Sequence, residues 1–156
     1  MKTLKLNFCW LIICVLIHPS NCLGQEPPQM LYDLDHSDIQ VMEVSNNVSI
    51  MYGGIGRTER TLMDQLSSDY NLKLVFTALP SNKYLSNVVI NILNNKDQTI
   101  LHLVSEGPLF FAKLIPGIYS IKDVYHGKET LVNHIEVKKV GQKVIHIGWK
   151  INHLNH

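Results

Sequence analysis

Histidine is the side chain best suited to acid–base or metal chemistry near neutral pH, and this 156-residue chain carries eight. His102, His126, His134 and His146 occupy its second half. No two of them have the His-x-His or His-x-x-x-His spacing that sets two ligands on one face of a strand or helix. A metal or hydrolytic site therefore requires separate strands to bring them together with a carboxylate. His153-x-x-His156 has i, i+3 spacing, but it lies in a polar tail. Ser49, Ser105 and Ser120 sit in no Gly-x-Ser-x-Gly elbow, the local geometry that exposes a serine nucleophile. Cys9, Cys14 and Cys22 all precede residue 25. The chain beyond them has no thiolate nucleophile, no thiolate metal ligand and no disulfide. The expectation is a chain without catalytic residues, metal ligands or a cofactor.

Two features stand out. Gly53-Gly54-Ile55-Gly56 lies between a strand pattern and a helix pattern, where a phosphate loop would lie. The dinucleotide fingerprint Gly-x-Gly-x-x-Gly fails, because Glu59 occupies the place of the last glycine and its carboxylate would repel a phosphate. The segment is instead expected to be a turn visiting positive φ, with a protein contact as the alternative for Gly53, Gly54, Gly56 and Glu59. The second feature is Asp123, two residues past Ile121 in an otherwise apolar strand pattern. A buried, unpartnered carboxylate is costly, so the expectation is a bulge that turns it outward, or a Lys or His partner.

The elements that position these residues follow a leader. Lys2 and Lys5 precede an unbroken apolar run from Phe8 to Ile17, and Cys22-Leu23-Gly24 places small residues for cleavage between Gly24 and Gln25. This is the anatomy of a secretory signal peptide, with an apolar run too short to span a bilayer. A second spanning run is absent, so no transmembrane segment is expected after cleavage. The 14 basic residues, less Lys2 and Lys5, stand against 13 acidic ones. Lys138-Lys139 with Lys143 is the densest basic spot. Nucleic-acid binding needs a clustered basic footprint and is not expected.

Residues 25–47, with Pro27-Pro28 and Asp33, Asp35 and Asp38, read as an extended N-terminal segment. Residues 48–70 read as a short strand, the glycine turn and one helix. Leu62, Leu66 and Tyr70 mark its apolar face, Gly56 or Thr58 its N-cap, and Glu59 the N3 position if Gly56 is the cap. From residue 71 to 150 the pattern is β. Alternation over Leu72–Ala78, Val88–Ile92, Thr99–Val104, Leu109–Leu114, Tyr119–Ile121, Leu131–Val137 and Ile145–Trp149 is punctuated by turn residues. That rhythm predicts a mainly β sandwich or barrel. Residues 151–156 are the tail.

Leu109-x-Phe111-x-x-Leu114-x-Pro116-Gly117-x-Tyr119-x-Ile121 resembles the core motif of carboxypeptidase-regulatory-like domains. The resemblance covers about Leu72 to Trp149. It implies a prealbumin-like (transthyretin-like) β-sandwich of seven strands or so, here with one short N-terminal helix. Phe111, Leu114 and Tyr119 would enter its core, and Pro116-Gly117 would turn the chain. The segment Gly53-Gly54-Ile55-Gly56-Arg57-Thr58-Glu59 and the following helix are similar to those of small exported proteins of Gram-negative bacteria. The expectation is a periplasmic or secreted, non-catalytic sandwich that binds another envelope protein or polymer. The alternative is a small periplasmic hydrolase or metal-dependent enzyme using the outward histidines with Asp or Glu.

Overall fold

A computed structural model describes residues 39–44 and 48–151. The leader with its Gly24–Gln25 junction, most of the extended segment, and the tail 152–156 lie outside the described residues. Among the described residues, ten strands form two sheets. They are β1 (Gln40–Val44), β2 (Val48–Gly53), β3 (Leu72–Leu79), β4 (Lys83–Tyr84), β5 (Val88–Asn94), β6 (Thr99–Ser105), β7 (Leu109–Lys113), β8 (Gly117–Tyr125), β9 (Lys128–Val137) and β10 (Lys143–Lys150). One helix, α1 (Arg57–Leu66), is followed by a 3-10 turn at Ser67–Asp69. The first sheet runs β1-β2-β7-β3-β10, with β4 paired to β3, and the second runs β6-β5-β8-β9. The pairing is antiparallel except for β10 against β3. The strand patterns of the sequence reappear here. The structure adds β4, and it adds β1 inside the segment read as an extended leader, where Gln40–Val44 pairs with β2.

The inward residues of both sheets make one core. Leu72, Leu74 and Phe76 from β3 and Phe110 from β7 meet Ile90, Ile92 and Ile121 from the second sheet, all with no more than a trace of exposed surface. A second core lies on the outer face of the first sheet. There Met63 of α1 packs on Met51, Val75, Leu109 and Phe111. The helix thus docks on the sandwich. It does so through Leu62 and Met63, while Leu66, expected on the buried face, is 47% exposed. Lys73 of β3 holds the helix from below: its Nζ pairs with Asp64 at 2.6 Å and lies 5.1 Å from the Phe111 ring centroid. Tyr70 packs edge-on against the same ring at 6.1 Å.

This corrects the facing of the Leu109–Ile121 motif. Phe111 is buried, but beneath the helix. Phe110, Ala112 and Leu114 are the residues that enter the sandwich core. A strand covered on both faces reads as a continuous apolar run, and such a run does not reveal which face is which. Leu131 is a similar case. It is exposed although Ile135, four residues on, is buried. A register shift opposite Tyr119–Ile121, with His134 at φ 59°, inserts an extra residue into β9 and swaps its faces there.

The glycines explain how β2 leaves the sheet. Gly54 has φ 89°, and a Cβ there would meet the Leu109 side chain at 3.0 Å. Gly107, between β6 and β7, is more tightly constrained: a Cβ would sit 2.0 Å from the Gly53 carbonyl oxygen. The chain crosses from one sheet to the other at this backbone-on-backbone contact. Gly107→Ala is expected to lower stability by about 3 kcal/mol, at the upper end of overpacking costs, because the obstacle is the Gly53 main chain, which cannot rotate away. Urea unfolding of the variant checks this. A midpoint equal to that of the wild type would place the crossing elsewhere.

Candidate functional site

The glycine segment is a helix start. Gly56 is the N-cap of α1, with φ −79° and ψ 155°. Glu59 at N3 accepts hydrogen bonds from the backbone N–H of Gly54 (2.5 Å, Oε1) and Gly56 (3.1 Å, Oε2). Arg60 Nη1 donates to the carbonyls of Gly54 (2.8 Å) and Ile55 (2.7 Å), and its guanidinium lies 4.7 Å from the Tyr84 ring centroid. Glu59 satisfies the N-cap amide that a helix start leaves without an intrahelical partner, and Arg60 pins the two carbonyls just before the helix. Two amides of the glycine segment, those of Gly54 and Gly56, are therefore occupied by the protein's own carboxylate.

The histidines stay apart. His102 lies on β6, and its Nδ1 donates to Asn91 Oδ1 at 2.5 Å. His126 lies in the β8–β9 turn, His134 at the bulge of β9 and His146 on β10, all exposed. Among the described residues, no three His, Cys, Asp or Glu side chains are grouped so as to hold a metal ion.

A concave polar site instead forms at one end of the sandwich. The pairings Lys143–Leu72, Leu72–Ala112 and Gly117–Val137 bring the start of β3, the β7–β8 loop and the β9–β10 loop to that end. They enclose a cleft of about 490 Å³ whose lining includes Tyr70, Lys113, Leu114, Pro116, Lys139 and Val140. A neighbouring hollow of about 610 Å³ shares Pro116 and Lys139 and adds Ile118, His134, Lys138 and Lys143.

Two buried or half-buried amides fix these loops. Asn71 Nδ2 donates to the carbonyls of Leu114 (2.8 Å) and Lys138 (3.1 Å), and its Oδ1 accepts from the Leu114 N–H (2.8 Å). One side chain thus ties the β7–β8 loop to the β9–β10 loop. Gln142 Nε2 donates to the carbonyls of Ser67 (3.3 Å) and Tyr70 (3.0 Å), tying the β9–β10 loop to the 3-10 turn. Tyr119 Oη donates to the Ile115 carbonyl at 2.6 Å and sets the β7–β8 loop over its own ring. Of the motif residues, Leu114, Pro116, Gly117 and Tyr119 thus build this end, while Phe111 supports the helix.

Asp123 does neither of the things expected of it. It points inward on β8, fully buried, opposite Ile90 of β5 and Thr130 of β9. Neither carboxylate oxygen has a hydrogen-bond partner among the described residues. The bulge lies in β9 and leaves Asp123 on the core face. Burial disfavours the charged form and pushes its carboxyl from an ordinary 3.8 up to about 8. At neutral pH the group is held as the neutral acid.

Compared with protein-family models and with curated proteins, the chain matches none.

Proposed function

We propose that this protein is an exported, non-catalytic β-sandwich of prealbumin-like type that acts as a binding or accessory module in the envelope of a Gram-negative bacterium. The observation that carries this reading is the loop end. Three loops tied by Asn71, Gln142 and Tyr119 present an open cleft on a sandwich whose two cores are otherwise closed. Binding residues are disproportionately found on loops held by a rigid scaffold. The lining offers cations, hydroxyls and aliphatic surface. Those groups can hold a ligand by charge, hydrogen bonding and apolar contact.

The export half of the reading rests on the leader, Lys2 to Gly24. Produced with its own leader in a Gram-negative host, the protein is expected in the periplasmic or secreted fraction with a mass beginning at Gln25, within about two residues. A chain that keeps its leader, or one diacylated at Cys22, overturns that half. The binding half is tested by photocrosslinkers placed at Val140 and at His126, at opposite ends of the sandwich. Discrete crosslinked products in the envelope from Val140 and none from His126 support the loop end. The reverse pattern overturns it.

A further inference from the structure

The loop end carries large aliphatic side chains held in solvent with lysines on the same loops and strands. Val140 in the β9–β10 loop is 84% exposed, the most of any large apolar residue described, and Ile115 in the β7–β8 loop is 60% exposed. Ile118, at the start of β8 in the adjoining hollow, is also exposed. Lys113 and Lys139 line the cleft, and Lys138, Lys139 and Lys143 line the hollow. The acidic groups facing the same end are Asp69 in the cleft and Glu136 in the hollow, and Glu136 lies 3.9 Å from the Lys138 ammonium. Cations outnumber anions two to one there, although the whole chain is nearly neutral.

The backbone that carries the aliphatic tips is anchored by side-chain hydrogen bonds. Ile115 sits between Leu114, held by Asn71, and Pro116, with its own carbonyl bound by Tyr119. Val140 sits between Lys138, whose carbonyl is bound by Asn71, and Gln142, whose amide is bound to Ser67 and Tyr70. A surface that fixes apolar side chains outward loses little entropy when they are buried. Exposed aliphatics rimmed by lysines complement an interface that is apolar inside and anionic at its edge. A bilayer with anionic headgroups has that profile: the aliphatic tips enter the acyl boundary while the lysine stems lie along it and their ammonium groups meet the headgroups.

We infer that this end of the sandwich docks on an anionic lipid bilayer, with Ile115 and Val140 as the inserted tips and Lys113, Lys138, Lys139 and Lys143 as the headgroup contacts. The inference rests on the reading of the loop end as a binding surface, and names its partner. Each lysine near an anionic surface multiplies affinity about fivefold, so binding is steeply salt-dependent.

The test is co-sedimentation of the full protein with vesicles of phosphatidylcholine alone and with about one-third phosphatidylglycerol. Binding to the anionic vesicles is expected, weakening as salt rises. Ile115→Ser with Val140→Ser, and separately Lys138→Glu with Lys139→Glu, are each expected to reduce it by at least about tenfold. All four residues are exposed, so the thermal midpoint is expected to stay in place. Any retained leader contributes equally to wild type and variants, and mass analysis of the same sample reports processing. A processed protein that ignores anionic vesicles overturns the membrane docking and leaves the export reading standing. Vesicle binding indifferent to the aliphatic pair also overturns it. So does binding to soluble polyaspartate that survives Ile115→Ser/Val140→Ser without vesicle binding, which would assign the lysines to a soluble anionic polymer.

Discussion

Replacing Asp123 by asparagine is expected to remove a loss of stability that its buried carboxyl imposes on the folded protein as pH rises from about 4 to about 8. The folded carboxyl releases its proton near 8, and the unfolded one near its ordinary 3.8. Below pH 4 both states hold the proton and the group contributes no penalty. Between the two values unfolding releases a proton, so each pH unit favours the unfolded chain by about 1.4 kcal/mol. Above pH 8 both states are ionised and the penalty is constant. A folded pKa raised above the unfolded one thus means stability lost as pH rises, reaching about 4 kcal/mol at pH 7. Asparagine has nearly the same shape and no proton to lose. It leaves a buried amide, which adds an offset that does not vary with pH. The measurement is the difference between wild-type and variant stability from urea unfolding, taken from pH 5 to pH 9. That difference is expected to change by roughly 3–4 kcal/mol between pH 5 and pH 8. Parallel curves would mean that the folded carboxylate has found a partner or reaches water.

Phe110→Ala and Phe111→Ala are each expected to cost about 3–5 kcal/mol, although the two rings lie on opposite faces of β7. Both are fully buried. The informative quantity is coupling to Met63 of α1. Met63 and Phe111 share the core beneath the helix, whereas Phe110 is in the core between the sheets. Once Phe111 is gone, removing Met63 empties a site already loosened, so Phe111→Ala with Met63→Ala is expected to be non-additive by about 0.5–3 kcal/mol. Phe110→Ala with Met63→Ala is expected to add within about 0.5 kcal/mol. Coupling of Met63 to Phe110 instead would mean that β7 faces the other way, since a one-residue slip exchanges its two sides.

Part of the loop end was legible in the sequence. Lys138, Lys139 and Lys143 are neighbours in the chain, and Pro116-Gly117 announces a turn. Their convergence with Lys113, Ile115 and Val140 was not, because it depends on which strands pair. Asn71 and Gln142 carry no signal at all in one dimension. An amide that ties two loops through carbonyls 43 and 67 residues away has no local pattern. The helix start was more open to reading: Gly56 as N-cap and Glu59 at N3 are a short-range device, and both are found in place.

Local pattern alone carries the β character of the chain, its long strands from residue 72 onward and the helix, with Gly56 as one of two candidate caps. Alternation, turn residues and capping act over two to four residues, so they survive in a linear reading. The facing of the strands depends on long-range packing. Leu109–Ala112 is apolar on both sides because one side meets the opposite sheet and the other meets α1. Leu131 and Ile135 part company because one extra residue in β9 reverses the pleat. Asp123 points into the core because its parity with Tyr119 and Ile121 is kept, and the packing around it stabilises a neutral acid where local chemistry favours an exposed anion. Facing is a property of what lies across the sheet, and that is set by chain segments far away in sequence.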